Sequence, residues 1–74
     1  MNANDIRNIA VELSPGKTVS VELEDRECDH FQVVSCKKGR GRGGSWIIEA
    51  RKDEERVIFG TSNAKQVRRV TLHE

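Results

Sequence analysis

The chain has 74 residues, 35% of them apolar and 34% charged, with one Trp, two Phe, no Tyr and a formal net charge of +1. That length supports one small domain with a thin core, because a chain of about 60 residues buries only about 60% of its unfolded surface. It excludes a doubly wound nucleotide fold and a pair of linked active domains. No apolar run approaches the ~20 residues of a membrane-spanning helix, and MNANDIRN lacks the basic-then-apolar order of a signal peptide. A cytoplasmic protein with no membrane partner is expected.

The first element is predicted to be a helix over about 4–13. Ile6, Ile9, Ala10 and Leu13 fall at i, i+3, i+4 and i+7 and make one apolar stripe. Asn4 is the expected N-cap, and Asp5 suits the positive end of the helix dipole. Ser14-Pro15-Gly16 ends it, since the residue before proline is pushed out of the helical region. After Gly16 the period changes to two. Val19, Val21 and Leu23 alternate with Thr18, Ser20, Glu22 and Glu24, which predicts a half-buried strand over about 17–24.

Asp25-Arg26-Glu27 makes a polar turn, with Cys28 in the same loop. A second strand follows over about 29–37. Phe31 and Val33 point inward there. Val34 and Cys36 lie on the opposite face, so the strand is either covered on both sides or sharply bent. Residues 39–44 hold four glycines in six and carry too much backbone entropy for the interior of any element. The third strand, about 45–52, places Trp46, Ile48 and Ala50 on one face. The turn Asp53-Glu54-Glu55 leads to a fourth strand over about 56–60, with Val57 and Phe59 inward. Residues 60–66 form a short loop with room for one helical turn, and a fifth strand spans about 67–73 with Val70 and Leu72 inward.

One helix and five short strands with short connections predict antiparallel hairpins. Five such strands bend most economically into a small SH3-like barrel, which hides the sheet edges. The fold class is therefore mainly β with one N-terminal helix, in a single domain.

The near-neutral total conceals a polar layout. Residues 1–30 hold seven acids and three bases, for −4, and residues 31–74 hold ten bases and five acids, for +5. The densest basic cluster is Lys37, Lys38, Arg40 and Arg42, and a second is Lys65, Arg68 and Arg69. Lysines and arginines on a glycine-rich loop can follow a phosphate backbone and release its counterions. Arg planes also stack on unpaired bases. Arg69 should face water, whereas Arg68 shares parity with Val70 and Leu72 and needs a barrel-end position to reach solvent. Phe31, Trp46 and Phe59 all read as core, so no aromatic stacking platform is expected.

No catalytic signature is present. The run Gly39 to Gly44 contains G-x-G-x-G-G but joins two strands, and a dinucleotide site needs a helix N-terminus behind it. No enzyme and no cofactor are expected. Cys28, His30, Cys36 and His73 make up a Cys2His2 set. Their spacing, C-x-H-x5-C, departs from the paired-cysteine patterns of zinc sites, so no metal is expected there and both thiols should be reduced. Glu22 and Glu24 belong to a wet strand face and Asp25 and Glu27 to a turn. These four acids are the alternative site, a surface that docks a basic protein partner. An exposed strand edge could also add to a partner's sheet.

Val57-Ile58-Phe59-Gly60-Thr61-Ser62 resembles the second motif of the Sm-like family of small β-barrels, in which a hydrophobic strand reaches Arg-Gly and then a polar residue. That family includes Lsm proteins, Hfq-type RNA chaperones and Rof-like inhibitors of transcription termination. Gly60 and Ser62 match the motif, and Phe59 stands where the family has a base-contacting Arg. The helix-plus-five-strands layout resembles the family along nearly the whole chain. The resemblance implies that the loops 37–44 and 60–66 lie on one side, so that Lys37, Lys38, Arg40, Arg42 and Lys65 converge. It also implies, through the Rof-like members, an acidic protein-binding surface. The expected function is a small non-enzymatic protein that binds RNA or DNA mainly through the backbone, with regulation of transcription or RNA as its expected setting. Association between copies through strand edges would add stability to so small a barrel.

Overall fold

Period-two alternation and short polar turns produce the architecture that the pattern dictates. The computed structural model describes residues 1–39 and 44–73. Helix α1 (Ala3–Ala10) is followed by strands β1 (Thr18–Leu23), β2 (Glu27–Lys38), β3 (Trp46–Lys52) and β4 (Glu55–Gly60). A 3-10 segment (Thr61–Gln66) then leads into β5 (Val67–His73). The strands form one antiparallel sheet in the order β4-β3-β2-β1-β5. Among the described residues no helix is long and apolar enough to cross a membrane.

The helix starts and ends one to three residues earlier than the apolar stripe suggests. Its N-cap is Asn2, not Asn4. The Asn2 side chain accepts the Asp5 N–H at 2.9 Å and the Asp5 carboxylate accepts the Asn2 N–H at 3.3 Å, a reciprocal capping box. Asn4 is inside the helix, where its side-chain oxygen accepts from Arg7 Nη1 at 2.9 Å. At the other end the N–H groups of Glu12 and Leu13 bond three residues back, to Ile9 and Ala10, at 3.0 and 3.1 Å. This tightening ends the helix and still carries Leu13 into the core. Gly16, at φ +97°, then turns the chain into β1.

The twelve-residue β2 bends the sheet. Its first half pairs with β1 and its second half with β3. Asp29 and His30 together oppose Ser20 on β1, a bulge that puts both Cys28 and Phe31 against the core. Cys28 is thus a buried strand residue and not part of a loop. Val34 is the extra residue of a second bulge, between the pairs Val33–Ala50 and Ser35–Glu49. That bulge returns Cys36 to the inner side opposite Ile48, and its thiol donates to the Ala10 carbonyl at 3.5 Å. The alternative of a strand covered on both sides therefore gives way to the bent one. A third bulge, at Arg68 on β5, places Val67 in the core.

Fully buried Ile6, Val19, Val21, Val33, Ile48 and Phe59 anchor the interior, with α1 packed on the 3-10 segment and β3. The expected inward residues Val70 and Leu72 are half-buried and pack at its rim. Edge strands β4 and β5 share no ladder among the described residues; the 3-10 segment spans the distance between them. Its end is fastened by the Glu24 N–H, which donates to the Gln66 carbonyl at 3.0 Å. At its start, Gly60 opposes Ile47, and a Cβ there would collide with the Trp46 carbonyl oxygen.

Candidate functional site

Lys37 and Lys38 end β2 opposite Ile47 and Trp46, and both are exposed. The Trp46 N–H donates to Thr61 Oγ1 at 3.1 Å, so the first residue of the 3-10 segment lies at the same end of the sheet as the two lysines. Lys65, on that segment, is exposed. Its neighbour Gln66 is tied to Glu24, so Lys65 stands near the junction of the basic end and the acidic turn. Arg40 and Arg42 lie outside the described residues.

The remaining two cations fall elsewhere. Arg69 sits directly opposite Glu22 and lines a shallow depression with Glu27 and Asp29. It belongs to the acidic face. Arg68 is exposed because it is the extra residue of the β5 bulge, and not because it lies at a barrel end. Among the described residues, Lys37, Lys38, Lys65, Arg68 and Arg69 form no ion pair. Arg26 and Arg51, by contrast, meet Glu55 and Glu49 at 3.5 and 3.6 Å. Lys52 Nζ donates to the Asp29 carbonyl at 3.2 Å.

The acidic residues divide between two places. Glu22 and Glu27 are directly opposite each other on β1 and β2, a repulsive cross-strand pair that Arg69 offsets from the other side. Glu24 and Asp25 stand at the turn, beside Val57, Ile58 and Asn63.

A third grouping brings together residues far apart in the chain. Ser20 Oγ fills the first bulge of β2, accepting the His30 N–H at 3.0 Å and donating to Asp29 Oδ1 at 2.9 Å. The same hydroxyl is 2.6 Å from Nε2 of His73 on β5. The His30 and His73 rings stack with centroids 4.1 Å apart and planes 15° from parallel, and Nδ1 of His30 is 3.4 Å from Asp29 Oδ1. The Ser20 hydroxyl, followed by the neighbouring imidazole, holds the Asp29 carboxyl below the usual carboxylate range. His30 has φ +56°, an uncommon conformation for a non-glycine residue that the bulge fixes.

The Cys2His2 set is not assembled. The two histidines meet on the outside of β1, whereas Cys28 is 1% exposed in the core and Cys36 lies against α1. Both cysteines are free thiols, and burial pushes each above its ordinary range, so neither is a ready thiolate. Asp29 counts among the acids of the first thirty residues, but composition does not place it with the two histidines. The signal for it is the pair Cys28 and Phe31, two apolar residues three apart in an extended run, which marks a bulge between them.

No family model, no curated protein and no solved structure matches the chain.

Proposed function

We propose that this chain is a small, non-enzymatic nucleic-acid-binding protein that grips the phosphate backbone with the end of the sheet carrying Lys37, Lys38 and the glycine-rich loop. One observation carries the reading: these two adjacent lysines are exposed, form no ion pair among the described residues and face Ile47 and Trp46 across the ladder with no acid opposite them, whereas Arg69 stands opposite Glu22. Cations left free are the ones able to displace counterions from a polyanion. Kinship with Sm-like barrels is part of the proposal. It is supported by the helix-plus-five-strands order and by the need for glycine at position 60. RNA is then the first ligand to test.

The test replaces Lys37, Lys38, Arg40 and Arg42 by Ala and titrates a labelled single-stranded RNA and a duplex DNA at several salt concentrations. Each phosphate that the variant no longer neutralises should lower the salt slope by about 0.7 for single strands and about 0.9 for duplex. The fourfold variant should bind weakly, with a slope reduced by up to about 2.8 on the single strand and about 3.6 on the duplex. Arg69→Ala, a change on the acidic face, should leave the slope nearly as it was. An affinity and slope unchanged in the fourfold variant would overturn the assignment.

A further inference from the structure

The Ser20 junction has a chemistry that the basic end does not use. Asp29, His30 and His73 each offer one donor atom, and these three atoms all lie within 4.8 Å of one another. Two imidazole nitrogens and a carboxylate oxygen suit a borderline divalent ion, zinc above all, and three protein ligands leave one position for water. We propose that these three residues form a zinc-class metal site, independent of the nucleic-acid reading.

The backbone builds the site. The bulge sets Asp29 and His30 side by side opposite Ser20, and the β1–β5 ladder brings His73 to the other side of the same residue. Ser20 orients the carboxylate through its 2.9 Å hydrogen bond, the kind of outer partner that metal-binding carboxylates use. All three ligands reach solvent, which gives the ion a path in. Zinc binds nitrogen and oxygen at roughly 2.0–2.2 Å, so the donors must close in by roughly an ångström and the stacked rings must splay. Exposed side chains at a strand surface can make that movement. Glu22 and Glu27 line the same depression and favour a cation; Arg69, together with Lys52 on the Asp29 carbonyl, opposes them. With the metal in place, β2, β1 and β5 would be clamped at one point.

The experiment uses the full chain, stripped with a chelator and then titrated with zinc chloride by calorimetry and by thermal melting. The expected result is one equivalent of zinc bound, with the melting temperature raised on the order of 10 °C at a hundredfold excess over Kd. His73→Ala and Asp29→Asn, each confirmed as folded by circular dichroism, should lose that rise. The double variant Cys28→Ala, Cys36→Ala should keep the stoichiometry. Nitrogen-15 spectra should show the His30 and His73 rings shifting together at one equivalent. Absence of binding overturns the proposal. So does binding that survives in the His73 variant, or that disappears with the two thiols.

Discussion

A single hydrogen atom decides what residue can occupy position 60. The backbone of Gly60 is extended, so no unusual dihedral demands glycine; the Trp46 carbonyl does, by occupying the space of a Cβ. Both partners are backbone in a paired strand, so neither can swing aside. Gly60→Ala should destabilise the fold by about 2–3 kcal/mol, read as a lower urea midpoint at unchanged m. At this scale the inward residues Val19, Val21, Ile48, Ala50, Val57 and Phe59 were legible, because strict alternation states which side is apolar. Cys28 was not, because alternation counted straight through a bulge misassigns everything on its far side.

Among the elements, α1 depends most on its ends. Eight residues are too few for a stable isolated helix, so the cap and the packing of Ile6 and Ala10 must hold it together. Asn2→Ala removes the acceptor for the Asp5 N–H and should cost about 1 kcal/mol. A melting temperature lower by about 4–8 °C would register it; Asn4→Ala, which removes only the bond from Arg7, should change it far less. The helix itself was readable from the spacing of its apolar residues. Its start was misplaced, with Asn4 as the expected cap, and the deciding signal is Asp5 three places after Asn2. The strands were readable to within two residues, including β5 over Val67–His73. The curvature of β2 was only half readable: apolar residues on both faces signalled a bend but did not locate it.

For the molecule as a whole, the barrel-like class followed from element order and short connections. The grouping of charges did not, since residue order alone settles neither which strand flanks β1 nor where bulges shift parity. Arg69 therefore lies with Glu22, Glu27 and Asp29 instead of with the basic end. Asp29 gives this arrangement a pH signature. Its carboxyl is held below the ordinary range in the folded state, chiefly by the Ser20 hydroxyl. The unfolded chain thus binds the proton more readily, and stability rises with pH across that interval. The contribution is complete above the ordinary aspartate range and is lost as pH falls through it to the folded value. Asp29→Asn should flatten this part of the stability curve, measured as denaturant midpoint against pH with no metal added. Parallel curves for the two proteins would contradict the assignment.

The second bulge of β2 also bears on how the chain tolerates changes in length. Val33 and Ser35 already oppose consecutive residues of β3, Ala50 and Glu49. A variant lacking Val34 would keep every later side chain on its present side. It would lose the kink, however, and the β2–β3 hairpin would straighten and draw the Cys36 thiol away from Ala10. A one-residue deletion here would loosen the winding of the barrel while leaving its inside-outside code intact.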